Sequence, residues 1–265
     1  MSHDTPTLSS HFVCGLLAGA ARRGVDPVAT AARFGWDHAA LHEPGARVTA
    51  ADFSSLVRFL WDACDDELIG LTASPCPRGA FALACELAIH QETLGRSLER
   101  FMSAFSVLTR DITLSLDLEG DMAVCRVRVR DRELDPTGVL QELWLMMVHR
   151  VASWLIARKI PIARADFASQ QPAHVEDYGL IFPGTHRFDA ECAALHFSTR
   201  YVGLSTVRTE SELERFIHQR PVDATTVQGD DTTFSTRVRT MILRQRGLPL
   251  TMPSLEEVAE SMRMS

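Results

Sequence analysis

Residues 139–158 are apolar almost all round a helix, with Glu142, His149, Arg150 and Ser153 among the few interruptions. At the α-helical rise the segment is about 30 Å long. A helix of this kind cannot lie on a surface. It needs a sheet against one side and other helices over its far side. Glu142, His149 and Ser153 are seven and four residues apart, so they share one stripe. Those polar residues also make the segment unsuited to cross a membrane.

What precedes it divides in two. Phe12, Val13, Leu16, Leu17 and Ala20 recur at helical spacing and stop at Arg23-Gly24. Asp26-Pro27 restarts a helix, with aspartate as cap and proline in the first turn. Thr49 caps the stripe of Phe53, Leu56, Val57, Leu60 and Trp61. The acidic run Asp65-Asp66-Glu67 reads as a solvated helix end, and 75–79 as a break before the apolar run 81–89. Thr93 caps a helix whose face is Leu94, Leu98, Phe101, Met102 and Phe105.

At residue 112 the period falls to two. Ile112, Leu114, Leu116 and Leu118 alternate with Thr113, Ser115 and Asp117, the pattern of a half-buried strand. Beyond a Gly120-Asp121 turn, Cys125, Val127 and Val129 return facing inward, with Arg126, Arg128 and Arg130 outward. The arginines read as a solvated hairpin face rather than a phosphate stripe. Two further strands are expected near 164–169 and 191–197, joined by a loop-like segment, then helices over 211–218 and 232–245. The fold class is α+β: N-terminal helices plus a small antiparallel sheet packed by the long central helix.

Bulk properties limit the function. The net charge is −7, so most of the chain lacks the basic footprint of a nucleic-acid binder. The six cysteines form no C-x-x-C pair and lie mostly among small apolar residues, which reads as reduced thiols in a cytoplasmic protein. The N-terminus shows no signal-peptide pattern. No G-x-S-x-G, P-loop, H-E-x-x-H or G-x-G-x-x-G occurs, so no catalytic residues are assigned and an enzyme is not expected.

The end of the chain is the most specific part. Residues 247–253 form a Pro-containing linker, and Ser254 with Glu257 makes a capping box. Leu255, Val258, Ala259 and Met262 then share an apolar face ahead of Met264-Ser265. This stretch resembles the opening of the first helix-turn-helix of AraC-type bacterial transcription regulators. The resemblance assigns Val258 and Ala259 to helix packing and Ser265 to capping of a recognition helix beyond the sequence given. It implies that 254–265 is a truncated start of the DNA-binding domain, which contacts DNA only in the longer protein.

The rest resembles the arabinose-binding-like N-terminal domain of one branch of that family. The pieces, in family order, are Leu16-Leu17, Arg23-Gly24-Val25, Gly35, Arg47-Val48 and 79–81. They continue through 93–100, Gly120-Asp121, Tyr178 and 187–190. Ser205 departs from the family's usual proline. The resemblance implies that residues 1–246 bind a small-molecule effector, form a homodimer, or both. Control would then pass along 232–253 to the DNA-binding part, with no membrane partner.

Pockets are mostly apolar with a few orienting polar groups. On that ground Trp144, Met147, His149, Ser153 and Trp154 of the central helix are the candidate ligand contacts. Phe81, Phe101 and Phe105 would form the opposite wall. Few polar residues converge there, so an apolar or amphipathic effector is expected in place of a sugar, and no cofactor or metal. Two alternatives stand beside this reading. One is a dimerisation module without a ligand, and the other a haem or metal sensor using His38, His42 or His149.

Overall fold

The computed structural model describes residues 7–172 and 175–218. The central apolar run becomes an α-helix, but only over Val139–Leu155. It stops early because Ala157 adopts φ +51°, and Arg158 N–H and Ala157 N–H donate back to Ser153 and Trp154 carbonyls. That is a Schellman stop with alanine where glycine is usual.

In chain order the elements begin with β1 (Thr7–Ser9), α1 (His11–Ala21), α2 (Pro27–Arg33), β2 (Arg47–Thr49) and α3 (Ala50–Cys64). Next come α4 (Ala80–Ile89), α5 (Leu94–Leu108), β3 (Ile112–Glu119) and β4 (Met122–Val129). The central helix is α6, followed by β5 (Arg164–Asp166), α7 (Tyr178–Ile181), β6 (Thr185–Arg187), β7 (Ala193–Ser198) and α8 (Glu210–His218). The expected caps form. Asp26 accepts from Val28 N–H at 2.9 Å, and Thr49 Oγ1 accepts from Asp52 N–H at 3.1 Å.

The main sheet has the order β3-β4-β7-β5-β6. Its neighbours pair antiparallel except β5 and β6, which run parallel. The hairpin register pairs Ile112 with Val129 and Glu119 with Met122, so Gly120 (φ +61°) and Asp121 make the turn. Cys125 and Val127 face the core, together with Leu195 and Phe197 of β7. On the other face Arg126 pairs with Asp117 at 2.6 Å and with Glu119, and Arg128 reaches Glu191. β1 and β2, which carry no periodic signal, form a separate two-stranded pair. The departure at Ser205 is accommodated by pairing: Ser205 bridges Thr93, and Leu94 N–H donates to Leu204 carbonyl at 2.8 Å.

α6 touches β4 and β7 on the sheet and α1 and α5 among the helices. Its approach to α1 is close, since a Cβ on Gly15 would lie 2.6 Å from Val139 Cγ2. Buried polar ties fix its first turns. At the start, the buried Asp135 carboxylate accepts from Leu140 N–H (3.1 Å), and burial pushes its carboxyl up to about 6. One turn in, Tyr178 donates to the buried Glu142 at 2.5 Å, and His11 Nε2 lies 3.3 Å from its other oxygen. All six cysteines are free, and burial pushes the thiols of Cys76 and Cys125 up to about 12. No helix among the described residues is long and apolar enough to cross a membrane. The segments expected at 232–245, 247–253 and 254–265, with Ser254, Glu257, Val258, Ala259 and Ser265, lie outside the described residues.

Candidate functional site

A cavity of about 90 Å³ opens between α1, α3 and α6 and the segment joining α3 to α4. One face of α6 supplies Leu140, Leu143, Trp144, Met147 and Arg150, at the i, i+3, i+4 spacing of a single stripe. Leu16 closes it from α1, and Val57 and Trp61 from α3. Phe81 and Phe105 supply aromatic walls, the latter edge-on to Trp144 with ring centroids 4.4 Å apart.

The remaining wall is Glu67, Leu68, Ile69 and Leu71, and it is built by the acidic run. The expectation of a solvated helix end there is wrong for two of its three residues. Asp66 is 0% exposed, and its carboxylate accepts from Leu68, Gly70 and Cys76 N–H at 2.8–2.9 Å and from Arg23 Nε at 3.2 Å. Glu67 accepts from Gly79 N–H (2.6 Å) and Phe81 N–H (2.9 Å), tying the wall to the start of α4. Burial raises the Glu67 carboxyl above its ordinary range. Only Asp65 is exposed, at the left-handed end of α3. Buried carboxylates are kept where backbone donors surround them, and here those donors come from a segment with no regular structure of its own.

Of the eight candidate contacts, Phe81, Phe105, Trp144 and Met147 lie on the cavity wall. Phe101 sits one layer behind, with ring centroids 5.9 Å from Phe81 and 6.3 Å from Trp144. His149, Ser153 and Trp154 do not line the cavity. His149 Nε2 lies 2.7 Å from Ile160 carbonyl, and Ser153 Oγ accepts from Ile160 N–H at 3.2 Å. Their stripe anchors the chain leaving α6. Trp154 stacks on Phe216 of α8, with centroids 4.4 Å apart. Lining residues not assigned to the site from the sequence include Trp61, Glu67 and Arg150. Arg150 follows Met147 by three positions, so helical spacing counted from Met147 could have found it.

Burial lowers the His149 imidazole below the usual histidine range, so the neutral ring donates to Ile160 carbonyl at neutral pH. The sign follows from linkage: the unfolded chain takes up the proton first, so stability falls as pH drops below about 6.5. His149→Gln is expected to flatten that fall, read as the difference from the parent in urea unfolding between pH 7.5 and 5. His149→Ala leaves a buried carbonyl unpaired and is expected to cost about 1–3 kcal/mol. An unchanged pH slope in the glutamine variant would remove this assignment.

Chemically, the wall is hydrocarbon and aromatic except for Glu67 and Arg150. Among the described residues no group of three or more His, Cys, Asp or Glu could hold a metal ion. The rings of His38 and His42 approach to 5.1 Å. A family model described as the arabinose-binding domain of AraC transcription regulators, N-terminal, matches residues 24–205. Among solved structures, the transcriptional regulator CdpR from Pseudomonas aeruginosa is similar at 14% identity and a TM-score of 0.37. The alignment covers 81% of this chain and 64% of that one, so the chain spans under two thirds of that regulator's length. No curated protein matches the sequence.

Proposed function

The chain belongs to the family of N-terminal arabinose-binding domains of AraC transcription regulators, and on that premise we propose that its cavity takes a small apolar or amphipathic effector. Occupancy then controls an AraC-type helix-turn-helix domain. The observation that carries the reading is the largely apolar space lined by α1, α3, α4, α5, α6 and the segment joining α3 to α4, with two ionisable side chains on its wall. Such a lining suits hydrocarbon or aromatic ligands and lacks the converging donors and acceptors that a sugar requires. The protein acts in the cytoplasm as a homodimer and reaches DNA through residues beyond those described.

A ligand regulates only by binding two conformations unequally. The test is mass spectrometry of small molecules extracted from purified protein, followed by a thermal-shift screen of apolar and amphipathic compounds. Trp144→Ala and His149→Ala serve as paired variants. The expected result is a stabilising compound whose shift disappears in Trp144→Ala and persists in His149→Ala. A flat screen together with an empty extract would transfer the domain's role to dimerisation alone.

A further inference from the structure

The two edges of the main sheet differ. β6 at one edge has three residues, whereas β3 at the other has eight. Edge strands are normally blunted by shortness, lysine, proline or a bulge. β3 carries none of these devices. Its sequence, ITLSLDLE, holds neither lysine nor proline, and its register with β4 runs unbroken from Ile112 to Glu119.

The phase of that ladder fixes which backbone groups face outward. Arg130 N–H donates to Asp111 carbonyl at 2.8 Å, so the residue just before β3 bonds toward β4. Antiparallel residues alternate between bonded and non-bonded pairs. Thr113, Ser115, Asp117 and Glu119 therefore bond to β4, and Leu114, Leu116 and Leu118 direct N–H and C=O away from it. No hydrogen bond among the described residues uses those outward groups. The same three leucines form one row on the core face, and the core runs out along it. Leu114 is buried, Leu116 half-buried and Leu118 62% exposed.

Resting on the homodimer reading above, we propose that β3 pairs antiparallel with β3 of a second copy, about a twofold axis at Leu116, and joins the two sheets edge to edge. The strand is its own complement, as an isologous contact requires. Only registers that set even residues opposite even ones match the outward groups and keep the leucine row on one face. Charge then selects among them, because like charges directly opposite destabilise a pair. An axis at Asp117 would set that residue against itself, one at Leu118 would set it against the partner's Glu119, and one at Ser115 would set Glu119 against the partner's Asp111. At Leu116, Asp117 faces the partner's Ser115 and Glu119 faces the partner's Thr113, while Leu118 falls beside the partner's Leu114. Arg126 binds both Asp117 and Glu119 within each copy, which lowers the acidic charge along the seam.

The test uses the full chain and reads both oligomeric state and register. By sedimentation equilibrium, Leu118→Lys is expected to weaken dimerisation at least about tenfold, since each seam loses two buried leucines and gains two lysines. Leu83→Lys, at a leucine of α4 that is 44% exposed, should leave it unchanged. Register is read by co-expressing a Ser115→Cys chain with an Asp117→Cys chain. Non-bonded antiparallel pairs stand about 4.5 Å apart at Cα, within the reach of a disulfide. Mild oxidation should therefore link the two variants to each other and neither to its own copy, with the parent chain as control for its six native thiols. A cross-link within either variant alone would overturn the register. A dimer that tolerates Leu118→Lys and forms no mixed cross-link would overturn the seam and leave the homodimer reading intact. A parent chain that is monomeric at every concentration would overturn both.

Discussion

Asp66→Ala is expected to lower the unfolding free energy by about 3–5 kcal/mol, the range for stripping one partner from a buried charged network. Asp66 is fully buried and accepts three backbone N–H bonds within the segment that follows α3, besides Arg23. Alanine would leave Leu68, Gly70 and Cys76 N–H groups facing an empty space too small to hydrate well. Each buried donor left without a partner costs about 1–3 kcal/mol, less whatever relaxation recovers. The segment would relax by moving, and Leu68, Ile69 and Leu71 would move with it, so apolar ligand binding should fall too. Asp66→Asn preserves volume and one acceptor and should lose roughly half as much. Asp65→Asn, one position earlier but exposed, should change stability by less than about 0.5 kcal/mol. Urea unfolding followed by tryptophan emission measures all three. An Asp66→Ala protein within about 1 kcal/mol of the parent would mean that the wall folds without its carboxylate.

That same residue marks the limit of what the sequence made legible. Periodicity is local, so it located α6, the Gly120-Asp121 hairpin and the caps at Asp26, Thr49 and Thr93. The backbone partners of Asp66 lie up to ten residues on and Arg23 lies 43 residues back, with no repeat to link them, and nothing in an acidic triplet says that these donors will converge on it. The short strands fail for a related reason. Three residues such as Thr7–Ser9 cannot display alternation, and they become a strand only because Arg47–Thr49 lies alongside. The candidate site shows a subtler limit. Burial was foreseen for Trp144, His149 and Ser153 alike, and the side each faces was not. Residues 140, 143, 144 and 147 form the cavity stripe, whereas 149 and 153 belong to another stripe that binds Ile160. A helix apolar all round gives no amphipathic contrast by which to tell those sides apart.

Phe101→Ala should cost about 3–5 kcal/mol, as for other fully buried phenylalanines, and should change which ligands bind. The ring is fully buried and lies behind three wall residues, 5.9 Å from Phe81, 5.3 Å from Phe105 and 6.3 Å from Trp144. Its removal opens a hole on the far side of the wall. Large aromatic neighbours cannot close such a hole without leaving their rotamers, so much of the volume should persist and join the cavity. A two-ring acid such as 1-naphthoate, too large for the parent, should then bind the variant. Binding to the native state alone returns stability by mass action, about 2.7 kcal/mol at a hundredfold excess over the dissociation constant. The variant should therefore show a lower Tm than the parent without ligand and a larger upward shift with naphthoate. A lower Tm with no naphthoate shift would mean that Phe81, Phe105 and Trp144 had collapsed into the space. The cost should then lie at the low end of the range, because cavity volume and destabilisation rise together. A small cost with strong naphthoate binding is the combination this packing does not allow.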